Sequence, residues 1–190
     1  GQNIFQKMAN QVVRFVSANS QLGSKRNISA HYDLGNDFFS LFLDPTMMYS
    51  AAIYEHADQS LHDASINKLD TVCQKLQLNE NDHLLEIGTG WGGLAIHAAQ
   101  NYGCHVTTTT LSQEQFDLAE QKVKALGLED KITLLMQDYR DLTGKYDKLV
   151  SIEMIEAVGH EFLPSYFKQC NDLLTDNGLM LIQAITISDQ

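Results

Sequence analysis

An α/β fold with a doubly wound, mainly parallel sheet is the class this sequence predicts, and three observations predict it. From residue 83 onward five short β-prone runs recur, at His83–Ile87, His105–Thr109, Ile132–Met136, Lys148–Ile152 and Leu179–Ile185. Helical stretches separate them, at 93–101, 113–126 and 154–160 with 162–174. A glycine-rich turn, Gly88-Thr89-Gly90-Trp91-Gly92-Gly93, joins the first run to the first helix. A strand, a glycine turn and a helix N-terminus in that order place a ligand beyond the carboxyl ends of the strands.

Each element has a local reason. Ile4, Phe5, Met8, Val12, Val13, Phe15 and Val16 recur at near-helical spacing, so residues 3–19 are expected to form an amphipathic helix that packs on the domain. Residues 20–30 are polar and read as an exposed loop. The stretch His31–Leu43 is rich in aromatics and ends at the Asp44-Pro45 turn. Leu69, Val72, Cys73 and Leu76 share one face of a helix over 61–76. Ser112 with Gln115 forms a capping box for the helix from 113, and Gly127 is placed to end it. The expected division is an N-terminal helical segment over 1–60, covering cofactor and substrate, and a Rossmann-like core over 61–190. The sheet is expected to be truncated after its fifth strand, as in a piece of a longer protein.

Composition excludes several classes. With 190 residues, 44% apolar, 19% charged, 2 Pro and 12 Gly, the chain is neither disordered, collagenous nor coiled coil. No run approaches the roughly 20 apolar residues of a membrane span, and Lys7 and Arg14 interrupt the N-terminal apolar stretch, which is unlike a signal peptide. A net charge of −11 opposes nucleic acid and gives no general attraction to an anionic membrane. Cys73, Cys104 and Cys170 are scattered, without CxxC spacing, and read as reduced thiols of a cytoplasmic protein; no metal site is expected.

Gly88, Gly90 and Gly93 satisfy GxGxxG, a pattern shared by many nucleotide sites. A dinucleotide site expects an acid about 20 residues on, at the end of the second strand, to hold the ribose. Thr107-Thr108-Thr109-Thr110 stands there instead. Glu86, two residues before the first glycine, suits a ligand with positive charge near the loop, such as the ammonium and sulfonium of S-adenosylmethionine. Asp138, just after the third strand, is placed to accept from an adenine amino group. The alternative is a phosphate-binding turn beside which Glu86 is incidental.

Six motifs in order carry a resemblance. Ala30-His31-Tyr32-Asp33-Leu34-Gly35-Asn36-Asp37-Phe38-Phe39, Leu43-Asp44-Pro45-Thr46, Met48-Tyr49-Ser50, Gly90-Trp91-Gly92, Thr110-Leu111-Ser112 and Gln137-Asp138-Tyr139-Arg140-Asp141 resemble the cyclopropane fatty acid synthase family. That family includes the mycolic acid cyclopropane synthases, and the likeness runs from about residue 28 to the end. It implies the class I S-adenosylmethionine-dependent methyltransferase fold and methyl or methylene transfer to the double bond of an unsaturated acyl lipid. By the same resemblance Tyr49 and Ser50 cover the methionine end, and Glu86, Gly88, Thr89, Gly90 and Gly92 line the cofactor loop. Thr110 and Gln115 serve the ribose, Leu111 between them also contacts the cofactor, and Asp138 and Tyr139 flank the adenine. Glu156 matches the family's active-site glutamate and Ile185 a backbone contact beside it. The family holds a bicarbonate base with these groups, a cysteine, a histidine and a later tyrosine. A peripheral, transient contact with the inner membrane face is implied for the lipid substrate.

This chain departs from the family at that anion site. Ala51 stands for the cysteine, Ala157 for the histidine after the glutamate, and Gln183 for the histidine on the fifth strand. Gln183 hydrogen-bonds without charge and Ala51 has no polar side chain. Glu156 is therefore expected either to bind an altered anion site with Gln183 or to act as the base itself, with cyclopropane, methylene and methyl-branched products all open. Glu153, three residues earlier, is expected on the same helical face, with Glu156 as the functional acid. None of the seven histidines is expected to be catalytic. His31 lies in a family motif, His56, His62, His97 and His105 read as surface or packing residues, and His160 as a helix-end residue. Trp91 reads equally as packing or as cofactor contact. A small-molecule N- or C-methyltransferase and a cofactor-binding module without catalysis are the alternatives. The sequence sets no oligomeric state.

Overall fold

The computed structural model describes residues 35–187. The expected helix over 3–19, the loop over 20–30 and His31 lie outside the described residues. The elements are α1 (Asn36–Ser40), α2 (Leu61–Lys75), β1 (His83–Ile87), α3 (Gly93–Tyr102), β2 (His105–Thr110), α4 (Gln113–Ala125), β3 (Ile132–Met136), β4 (Tyr146–Ile152), α5 (Leu163–Leu173) and β5 (Leu174–Gln183). The five strands form one parallel sheet in the order β3-β2-β1-β4-β5. Chain order reverses between β1 and β4, and that switch point is where such sheets take a ligand.

The strands alternate as buried parallel strands do. Leu84, Val106 and Val150 face a core shared with α2, α3 and α4, whereas Leu85, Ile87 and Leu149 face a second core with Tyr166, Cys170 and Leu173 of α5. The helix stops follow local chemistry. Ser60 accepts from the Asp63 N–H to open α2, and Ser112 accepts from the Gln115 N–H to open α4. Gly127, at φ +64, follows the last turn of α4. The capping box is only half made: the Gln115 side chain turns to Thr110 Oγ1 at 2.9 Å, and the Ser112 N–H goes to the same hydroxyl at 3.1 Å.

Two expected elements differ. The stretch 154–160 is not helical but a pair of 3-10 turns, Ile155–Ala157 and His160–Phe162, separated by Gly159 at φ +82. The Glu153 N–H is tied to the Gln183 carbonyl at 2.8 Å, which holds the chain to the sheet where a helix would begin. The fifth strand starts at Leu174 and stops at Gln183. Its register jumps from Tyr146↔Leu174 to Lys148↔Leu179, so continuous pairing begins at the predicted residue and ends two residues sooner.

Candidate active site at the strand tips

β1 carries Glu86 to the middle of the sheet, where its carboxylate is buried. Thr108, its register partner on β2, donates to Glu86 Oε2 at 2.6 Å, and the Thr89 and Thr108 hydroxyls lie 2.7 Å apart. Burial pushes the Glu86 carboxyl up to about 8, against the pull of Thr108 and the Lys68 ammonium. A second anion here would raise it further and a ligand cation would lower it.

The glycine turn repeats that preference. The Gly88 and Thr89 N–H groups donate to the Thr109 carbonyl at 3.1 and 3.0 Å, and the Gly92 N–H donates to the Thr89 carbonyl at 3.0 Å. A pyrophosphate cradle needs such N–H groups free. Gly88, Gly90 and Gly92 have φ of +102, +51 and +86, backbone that side chains rarely adopt. The geometry fits a cationic methionine end better than a dinucleotide.

The other expected cofactor residues converge on these strand tips in part. Ser50 Oγ accepts from the Lys68 ammonium at 2.6 Å. Tyr49 is half exposed and meets Phe39 edge-on at 5.2 Å. Thr110 and Gln115, both buried, bond to each other, and Leu111 at the end of β2 is half-buried. Asp138 is buried after β3, but Arg140 holds it through N, Nε and Nη2 at 3.0, 2.8 and 2.6 Å. A carboxylate has about four acceptor sites, so one is left for a ligand. Tyr139 packs edge-on against Tyr166 at 5.4 Å, and burial raises its phenol. Trp91 is buried, 4.9 Å from Phe39, and donates to Asn36 Oδ1 at 2.6 Å, which makes it a packing residue that pins α1.

The expected anion site is arranged differently. Glu153, not Glu156, meets Gln183: Glu153 Oε1 accepts from Gln183 Nε2 at 2.8 Å and from the Ala51 N–H at 2.9 Å. Gln183 Nε2 also reaches the Ala51 carbonyl at 3.4 Å. Glu156 is exposed and accepts from the Ile185 N–H at 2.5 Å. The two acids do not share a helical face, because Glu153 stands at φ +48 ahead of the first 3-10 turn. Bicarbonate does not fit this donor set, since Glu153 and Glu156 already take the Ala51, Gln183 and Ile185 donors.

Lys68 is the residue that sequence reasoning missed. It is fully buried on α2, and burial lowers its ammonium to about 8 while Glu153, Glu86 and Asp44 pull it back up. The available signal was its place four residues before Val72, on the apolar stripe that carries Leu69, Val72 and Cys73. Among the described histidines, His97 is buried against Asp70 at 2.8 Å, His62 meets Asp44 at 2.9 Å, His83 meets the Thr107 hydroxyl at 2.8 Å, and His56, His105 and His160 are exposed. An apolar groove of about 390 Å³, lined by Ile66, Leu69, Ile96 and Leu126, lies between α2, α3 and α4. Among the described residues no group of His, Cys, Asp or Glu is arranged to hold a metal ion, and no helix is long and apolar enough to cross a membrane.

A family model described as mycolic acid cyclopropane synthetase matches residues 19–190. A probable fatty acid methyltransferase of Pseudomonas putida is 46% identical over 161 residues, covering 84% of this chain and 41% of that protein. Cyclopropane-fatty-acyl-phospholipid synthase of Escherichia coli K12 is 43% identical over 155 residues, covering 82% of this chain and 39% of that protein. The structure of mycolic acid cyclopropane synthase CmaA1, complexed with SAH and CTAB, superposes with a TM-score of 0.80 at 37% identity, covering 83% of this chain and 55% of that one. The chain thus spans about two fifths of the length of these two curated relatives.

Proposed function

The chain belongs to the mycolic acid cyclopropane synthetase family, and from that premise we propose that the complete protein is an S-adenosylmethionine-dependent C-methyltransferase acting on the double bond of an unsaturated acyl lipid. The observation that carries the cofactor assignment is the buried Glu86 carboxylate beside a glycine turn in which the Gly88, Thr89 and Gly92 N–H groups are spent on the backbone. The solved relative with a TM-score of 0.80 was crystallised with SAH, which supports the same reading. When bound, the cofactor supplies an electrophilic methyl group on a positively charged sulfur.

The chain's own residues do the rest. Glu86 pairs with the ligand's positive end, and Gly88, Gly90 and Gly92 let the ligand approach the backbone. Ser50, held by Lys68, and Tyr49 would cover the methionine end. Thr110 and Gln115, bonded to each other, would meet the ribose, and the acceptor site that Arg140 leaves on Asp138 would take the adenine amino group. Phe38, Leu41 and Phe42 leave apolar surface exposed next to Tyr49, which suits an acyl chain.

The test is incubation of the complete protein with methyl-labelled S-adenosylmethionine and a cis-unsaturated phospholipid, followed by mass analysis of the released acyl chains. Labelled carbon in the acyl chain is expected. Label only in polar amines would assign a small-molecule methyltransferase, and cofactor binding with no transfer would leave a binding module.

A further inference from the structure

We propose that the Glu153 carboxylate is the proton acceptor of this reaction, a resident side chain in the place where the family resemblance implies a bound bicarbonate. The inference rests on the lipid C-methyltransferase reading and deepens it. Three observations carry it. Glu153 Oε1 takes the two donors an anion at this point would need, the Ala51 N–H at 2.9 Å and Gln183 Nε2 at 2.8 Å, from chain segments far apart in sequence. Ala51 and Ala157, which stand for two polar residues of the family's anion site, leave no side chain to hold a free ion. Glu153 also occupies φ +48, left-handed backbone that glycine takes at little cost and a glutamate does not. Backbone of that kind persists only where the surrounding structure holds it, here through the bonds that the Glu153 N–H and carboxylate make to the fifth strand and Ala51. The buried Lys68 ammonium, bonded to Ser50 beside Ala51, supplies a counter-charge within electrostatic reach.

The step balances without a reductant. The alkene π pair bonds to the methyl carbon as the carbon–sulfur pair leaves with sulfur, and positive charge develops on the chain. Glu153 then removes one proton from the added carbon. The released C–H pair closes either the third ring bond or an exocyclic double bond, and Glu153, half-buried, passes the proton to solvent.

The test compares the complete wild-type protein with its Glu153→Gly variant in buffer stripped of carbon dioxide, with and without added bicarbonate. Three readouts are taken: labelled acyl product, melting temperature with S-adenosylhomocysteine, and broadening of the ¹³C-bicarbonate resonance. Wild-type turnover is expected to stay within about twofold in both buffers and to leave the bicarbonate line sharp, whereas the variant loses about 100-fold without bicarbonate, as removal of a general base does. The variant should melt close to wild type, because relief of the left-handed backbone offsets the loss of the Ala51 and Gln183 bonds, and should regain activity and broaden the line when bicarbonate is added. A wild-type rate that collapses on stripping, or a variant that runs at the wild-type rate in stripped buffer, overturns the assignment. Absence of labelled lipid from wild type in both buffers overturns the lipid reading and this inference with it.

Discussion

Replacing Glu86 by glutamine isolates the group on which the cofactor reading depends. The carboxyl is pushed up to about 8 by burial, so at pH 7 it is about nine-tenths protonated and must ionise to meet a cation. That ionisation costs about 1.4 kcal/mol at pH 7, a tenfold weakening of binding that disappears above the carboxyl's own titration. The dissociation constant of S-adenosylmethionine should therefore fall about tenfold from pH 7 to pH 9 in the wild type. In Glu86→Gln the slope should vanish, and at pH 9 binding should weaken by about 2 kcal/mol or more, some 30-fold, as when one partner of a buried charge pair is removed. Lys68 titrates in the same range and is held up in part by Glu86, so the comparison is repeated in a Lys68→Met background, where the carboxyl titrates without it. The assay is calorimetric titration of the complete protein at several pH values. S-adenosylhomocysteine serves as the ligand that keeps the ammonium and lacks the sulfonium charge. Unchanged affinity and an unchanged pH slope in the variant would refute the argument. The same shift acts on folding. A carboxyl raised from 4.5 makes the folded state hold more protons than the unfolded one between about pH 4.5 and 8, so stability falls as pH rises through that window and then levels off. Glu86→Gln should flatten that fall in denaturant titrations of the protein without ligand.

Three further outcomes follow from single contacts. Thr108→Val removes the hydroxyl that donates to Glu86 at 2.6 Å; it should cost about 1–3 kcal/mol in urea unfolding and move the binding transition to higher pH. Gly93→Ala would put a Cβ 2.8 Å from both Met48 Sδ and the Thr46 carbonyl, so it should cost about 1–3 kcal/mol, read as a lower melting temperature. Burial pushes the thiols of Cys73, Cys104 and Cys170 up to about 12, 11 and 11. None should react with iodoacetamide in the folded protein at pH 8, and all three should in denaturant, as counted by mass.

The parts legible in the sequence are those set by short-range rules. β1, β3 and α4 begin where apolar period and capping predict, and Gly127 ends α4, because pleat, helix period and turn chemistry act within a few residues. Glu86 was legible because its distance from the glycine turn is a local spacing. The 154–160 stretch was misread because its helical pattern competes with a bond from Glu153 N–H to Gln183, a partner on another strand. Lys68 was hidden for a related reason: a lysine on an apolar stripe is ordinarily a snorkelling residue, and only the carboxylates brought near it from β1 and from the end of β4 allow it to stay inside.

The amino-acid order alone thus determined the elements, their alternation and the sign of charge the first strand turn prefers, since each depends on neighbours in the chain. The choice between Glu153 and Glu156 belongs to the tertiary structure. Parallel register aligns Ile152 with Gln183, and that alignment sets the Gln183 amide beside Glu153 and leaves Glu156 outside on Ile185. Contacts between residues so distant in sequence exist only once the sheet has closed, and no local pattern encodes them.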